Sequence, residues 1–162
     1  LAHLGPMPGA LLWDIGAGNG SIAIEWMRTA RGAKAIAIES DAARCERIAA
    51  NAMTLGTPTL DIRHGEAPLT FEGLDAPDAV FIGGGMSEEG ILEAAWAALK
   101  PGGRLVANAV TVESEARIFG LRDHFGGELV RMQVSRAEPV GRFLGWKPMM
   151  PVTLWSVRKG FA

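Results

Sequence analysis

Residues 11–20 read LLWDIGAGNG. An apolar run ends in an acid, Asp14, and then three glycines fall at every second position, Gly16, Gly18 and Gly20. The run before Gly16 predicts a buried strand, and the residues after Gly20, SIAIEWMRTA, predict a helix with Ile22, Ile24 and Trp26–Met27 on its apolar face. A glycine loop leading from a first parallel strand into a helix is a ligand site in open α/β sheets. Glycine lets backbone approach a ligand closely and tolerates positive φ. The helix start adds free N–H groups and the positive end of its dipole.

Reading outward, strands and helices alternate. AKAIAIES predicts a second strand, and DAARCERIAANAMTLG a helix with Asp41 near its start and Gly56 as its stop. TLDIRHG and DAVFIGG predict strands three and four. SEEGILEAAWAALKPGG predicts a helix whose N-terminus is set by Ser87 with Glu88–Glu89 and whose exit is Pro101–Gly102. RLVANAV is a fifth strand and ESEARIFGLRDHF a fourth helix. GELVRMQVSRA and PVTLWSVRK are two strand-like runs with no helix between them. Alternation of this kind implies βαβ crossovers and a parallel sheet with helices on both faces. The last two strands are expected as an antiparallel pair at one edge. No repeat, linker or internal boundary divides residues 1–162, so they are expected to form one domain.

The composition narrows the function. The chain has 162 residues and a net charge of −2, which argues against generic nucleic-acid binding. No apolar run approaches a membrane span, no signal peptide opens the chain, and a cytoplasmic protein is expected. Cys45 is the single cysteine, and His3, His64 and His124 are scattered, so no metal site is expected. Charge is unevenly placed. From Arg131 onward there are six bases and one acid, against ten bases and seventeen acids before it. A basic tail on an acidic body points to an anionic ligand or partner.

The spacing of the glycines excludes two common phosphate loops. G-x-G-x-x-G would need a glycine where Ser21 stands, and a P-loop would need a Gly-Lys pair. DIGAGNG instead resembles motif I, D/E-x-G-x-G-x-G, of class I S-adenosylmethionine methyltransferases, with Asp14, Gly16, Gly18 and Gly20 at its fixed positions. The resemblance implies a Rossmann-like, mostly parallel seven-stranded sheet with an antiparallel edge hairpin. It implies cofactor contacts from Asp14, Gly16, Ala17, Gly18, Asn19 and Gly20. Glu39, at the tip of strand two with Ser40 behind it, suits the two ribose hydroxyls, a role an NAD enzyme would also give it. Gly65, Glu66 and Ala67 after strand three would flank the adenine, although the family often has aspartate where Glu66 stands. Gly83 and Gly84 after strand four would clear room for the methionine part and the substrate.

Longer stretches are more discriminating. LLWDIGAGNGSIAIEWMR, GGGMSEEGILEAAWAALKPGGRLVANAVTVES and MQVSRAEPVGRFLGWKPMMPVTLW resemble the decarboxylating precorrin-8W type methyltransferases of cobalamin biosynthesis. These methylate carbon 15 of the macrocycle, and the domain also occurs as the C-terminal half of the fused precorrin-6Y C5,15-methyltransferases. The resemblance implies S-adenosyl-L-methionine as cofactor with S-adenosyl-L-homocysteine as product, and an anionic tetrapyrrole as substrate. It also implies a homotetramer and a fused upstream methyltransferase domain, of which this chain would be the C-terminal part. No nucleic acid and no membrane partner is expected. Arg136, Arg142 and Lys147, near Phe143 and Trp146, suit either a flat macrocycle with a carboxylate rim or a subunit interface. Asn108 suits either a substrate hydrogen bond or a turn. Glu113 is accounted for as the first-turn acid of a helix. No catalytic acid or base is identifiable. Transfer to RNA or another anionic metabolite, or a cofactor-binding module without catalysis, are the competing readings.

Overall fold

The computed structural model describes residues 1–86 and 88–161. In chain order it comprises β1 (Leu11–Ile15), α1 (Ser21–Thr29), β2 (Lys34–Glu39), α2 (Ala42–Thr54), β3 (Asp61–His64), β4 (Ala79–Ile82), α3 (Ile91–Ala98), β5 (Arg104–Ala109), α4 (Val112–Phe125), β6 (Glu128–Met132), β7 (Ser135–Val140), β8 (Phe143–Pro148) and β9 (Val152–Arg158). Seven strands form one sheet in the order β3-β2-β1-β4-β5-β9-β6. β1 to β5 pair in parallel, whereas β9 runs antiparallel to both of its neighbours. The expected mostly parallel sheet with an antiparallel edge is therefore present, with β6 outermost and β9 inside it.

Strand alternation divides the core between the two faces. Leu12, Ala35, Ala37 and Phe81 pack with Ile24 and Trp26 of α1 and Ile48 of α2. Trp13, Ile36, Ile38, Val80 and Ile82 pack on the opposite side with Ile91, Leu92 and Ala95 of α3 and Ile118 of α4. β1 is buried almost throughout, which is why its apolar run is continuous rather than alternating.

Two elements depart from the sequence expectation. α3 begins at Ile91, and its N-cap is Gly90 in the left-handed region, with no side-chain cap. Glu88 and Glu89 precede the helix, and Ser87 lies outside the described residues. The run 127–137 is not one strand. It breaks after Met132, and its second part pairs with 143–148 as a separate two-stranded sheet. The supposed connection carrying Arg136, Arg142 and Lys147 is thus the β7–β8 hairpin, with only Arg142 in its turn.

Candidate functional site

A cavity of about 420 Å³ opens at the carboxyl ends of β1 to β4. β1 and β4 lie at its centre, where the strand order reverses and doubly wound sheets bind ligands. Its wall includes Gly16, Gly18, Glu39, Ser40, Gly65, Glu66, Ala67, Gly83 and Gly84, as the sequence predicts. Ile15, Ile38, Arg44, Gly85, Glu88 and Ile91 complete it.

The three loop glycines serve three purposes. All have positive φ. A Cβ on Gly16 would stand 2.8 Å from the Gly84 backbone nitrogen, so two loops touch there through bare backbone. A Cβ on Gly20 would stand 2.8 Å from Ile48 of α2. A Cβ on Gly18 would meet nothing within 4 Å. Only Gly18 is small for the sake of the open cavity; the others are small for packing. Gly16 and Ala17 both donate to the Ile38 carbonyl, which fixes the loop against β2.

Glu39 is 4% exposed, yet it sits on the cavity wall. Its Oε2 accepts from the Gly18 N–H at 2.8 Å and its Oε1 from the Asp41 N–H at 3.1 Å. Arg44 Nη1 lies 3.8 Å from Oε1. Each carboxylate oxygen can accept a further bond, so the group is held rigidly with acceptor capacity left for a diol. Arg44 was missed from the sequence. Asp41 caps α2 by accepting from Arg44 N–H at 2.9 Å, and this one-turn spacing was the signal that could have placed Arg44 beside Glu39. Across the cavity Glu66 is exposed, and the Ala67 N–H has no hydrogen-bond partner among the described residues.

Asp14 does not reach the cavity. It is 1% exposed beneath the loop, where Oδ2 accepts from the Ala23 N–H at 3.0 Å. Gly20, the N-cap of α1, has no side chain to offer, so β1 supplies the cap instead. Oδ1 has no hydrogen-bond partner. Burial pushes the carboxyl up to about 7; the Ala23 hydrogen bond opposes this and the nearby Glu39 charge adds to it. Ala17 and Asn19 also lie off the wall. Asn19 turns to α2, its carbonyl accepting from Asn51 and its Oδ1 from Arg47. Cys45 is half-buried in α2, with burial and the nearby acids raising its thiol pKa.

None of the residues assigned to substrate from sequence lines this cavity. Asn108 is half-buried at the end of β5, one residue past the Ile82–Ala107 pairing, and its Oδ1 has no partner. Arg136 and Lys147 are opposite each other across the hairpin, and Glu138 shares their face and bonds Lys147 at 2.9 Å. Phe143 is on that charged face, under the Arg142 guanidinium. Trp146 is on the other face with Ala137, Pro139 and Leu144. Strand alternation thus takes Trp146 out of the expected mixed patch, while Phe143 stays on the charged side. The rest of the basic tail is dispersed: Arg131 holds Glu115 and Thr153, and Lys159 holds the end of α3. No helix is long and apolar enough to cross a membrane among the described residues.

Chemically, the cavity is a recess with a rigid carboxylate acceptor, apolar isoleucine walls and an excess of acid. Glu39, Glu66 and Glu88 face a single base, Arg44. That balance favours a cationic ligand over a pyrophosphate.

A family model described as the precorrin methyltransferase domain matches residues 1–159. The chain is 53% identical over 160 residues to a Sinorhizobium protein named precorrin-6Y C(5,15)-methyltransferase (decarboxylating), covering 99% of this chain and 39% of that one. The chain thus spans about two fifths of that relative. It is 33% identical over 152 residues to the cobalt-precorrin-6B C(15)-methyltransferase (decarboxylating) of Salmonella typhimurium, covering 91% of this chain and 78% of the relative. The crystal structure of the C-terminal domain of precorrin-6Y C5,15-methyltransferase from Rhodobacter capsulatus superposes with a TM-score of 0.91 at 44% identity, covering 98% of this chain and 85% of that one.

Proposed function

Since this chain belongs to the precorrin methyltransferase family, we propose that it methylates carbon 15 of a precorrin macrocycle and removes carbon dioxide from an acetate arm, using S-adenosyl-L-methionine. The observation that carries the cofactor assignment is the acid-rich cavity at the β1–β4 switch point, with Glu39 fixed by two backbone N–H groups at its edge. The fit is good: a cationic nucleoside meets a held carboxylate, an unpaired N–H and a glycine with open space beside it.

Bound there, S-adenosylmethionine would supply a methyl group on a positively charged sulfur. The chain's own residues bind and orient. Glu39 would accept the ribose hydroxyls, Glu66 the adenine amine, and the Ala67 N–H would donate to a ring nitrogen. Ile15, Ile38 and Ile91 give the adenosine apolar walls. Gly83 and Gly84, on the same wall, would leave room for the methionine part and an incoming macrocycle, although Gly83 is also held small by Phe81. A bridging carbon of a precorrin is already enamine-like, so alignment and exclusion of water are what the protein must provide. Asn108, near the end of β5 with an unpartnered Oδ1, would accept a pyrrole N–H.

The hairpin supports the remaining assignments. Its charged face, with Arg136, Arg142 and Lys147, suits the carboxylate rim of the substrate. Its apolar face, with Leu144 72% and Trp146 78% exposed, suits another copy of the chain in a homotetramer. The 39% coverage of the Sinorhizobium relative supports reading the chain as one domain of a longer protein with a second methyltransferase domain upstream.

The test is a mass spectrum of a reduced precorrin-6 intermediate after incubation with S-adenosylmethionine and the purified protein. Gain of one methyl with loss of carbon dioxide is expected; an unchanged pigment alongside confirmed cofactor binding would reject the substrate. Calorimetry of Glu39→Gln should show cofactor affinity reduced by about tenfold or more, roughly one strong hydrogen bond, with the fold intact.

A further inference from the structure

A second concave surface lies at the opposite edge of the sheet, where β5 begins and β9 ends. It encloses about 480 Å³ and is walled by His3, Arg104, Glu128, Ser156 and Arg158 among others. Arg104 and Arg158 are register partners in the antiparallel β5–β9 pair, so their side chains leave the same face side by side. Like charges directly opposite on neighbouring strands repel. Neither guanidinium has a carboxylate within ion-pair distance among the described residues. Arg104 reaches only the His3 carbonyl, at 3.5 Å. Arg158 donates to the Gly102 carbonyl at 2.9 Å and lies over the Phe161 ring. The one acid on the wall, Glu128, faces His3 Nδ1 at 3.6 Å, and the same nitrogen lies 3.5 Å from Ser156 Oγ. Positive charge is thus in excess on this wall, and neither arginine is ion-paired among the described residues.

We propose that this pocket is an oxyanion site, in which Arg104 and Arg158 together clamp the phosphate or carboxylate group of a small metabolite. Each guanidinium carries five N–H donors in a planar fork, and one backbone contact apiece leaves most of them free. The Ser156 hydroxyl supplies a further donor. An anion between the two arginines turns a repulsive pair into a bridged one, which ties β5 to β9. The site is separate from the cofactor cavity and does not depend on the methyltransferase reading.

Binding to the folded state alone raises stability, so thermal unfolding reads the site directly. The protein is melted in sodium chloride, inorganic phosphate and succinate at matched ionic strength. The wild type should gain several degrees in phosphate, in succinate or in both, and the anion that acts identifies the source of the oxyanion. Arg104→Gln and Arg158→Gln should lose that gain, be no less stable than the wild type in chloride because the repulsion is relieved, and bind S-adenosylmethionine with unchanged affinity. In the wild type, phosphate titrated into an amide NMR spectrum should shift residues around Gly127 and Ser156 first. No gain over chloride in either anion, an equal gain in wild type and variants, or amide shifts spread evenly over the surface would overturn the proposal.

Discussion

Asp14 and Glu39 are both buried acids beside one loop, yet their environments set opposite tasks. Glu39 has two N–H donors, from Gly18 and Asp41, and Arg44 nearby. Asp14 has one donor and an unpartnered oxygen, and its pKa rises from the ordinary 3.8 to about 7. Between those values the folded protein holds a proton that the unfolded chain has released. Stability therefore falls as pH rises through that window, by something on the order of 4 kcal/mol from this group. Asp14→Asn keeps an oxygen for the Ala23 N–H and cannot titrate. Melting curves of both proteins should show the wild type losing ground to the variant from pH 4 to pH 7.5; parallel curves would mean that Asp14 stays ionised. The glycines separate in the same way. Gly16→Ala drives a methyl into the Gly84 backbone and should cost at least about 2 kcal/mol in denaturant unfolding. Gly18→Ala carries only the strain of a positive φ, about 1 kcal/mol, but it fills the cavity and should weaken cofactor binding by tenfold or more in calorimetry.

At the scale of elements, what the sequence made legible was whatever buries itself within the chain. β1 to β5 and their helices announced themselves through apolar runs and caps, and the cavity residues followed because strand ends in a parallel sheet share an edge. Asp14, by contrast, was read as a ligand contact because sequence shows an acid beside a loop and not that its carboxyl points beneath it. The β7–β8 hairpin was unreadable for another reason. Its apolar residues, Ala137, Pro139, Leu144 and Trp146, face no core of their own, and a proline interrupts the pattern. The start of α3 was misplaced because a left-handed Gly90 does the work that Ser87 and the acids promised. The end of α3 carries a device of its own. Lys159 Nζ donates to the carbonyls of Trp96, Ala97 and Leu99, at 2.6, 3.2 and 2.7 Å, in place of a C-terminal glycine cap. Lys159→Met should cost about 2 kcal/mol, and hydrogen exchange should quicken first in the last turn of α3.

At the scale of the whole molecule, several of the large apolar side chains left exposed are gathered on one appendage, the β7–β8 hairpin. Val140, Phe143, Leu144 and Trp146 are each at least 64% exposed. If the apolar face seats another copy, replacing Leu144 and Trp146 together by glutamate should lower the mass seen in light scattering to that of a monomer, while cofactor affinity stays as it was. Loss of cofactor binding instead would place the hairpin's apolar face at the active site. Sheet order has a consequence for how the chain is made. β9, which follows β6 in the chain, is inserted between β5 and β6. While the ribosome still holds residues 152–158, β6 has no neighbour in the sheet and Trp155 has not yet entered the core. The nascent domain therefore carries an open β5 edge until residues 152–158 emerge, and a chain cut before Val152 keeps the cavity at the ends of β1 to β4 but cannot close its sheet.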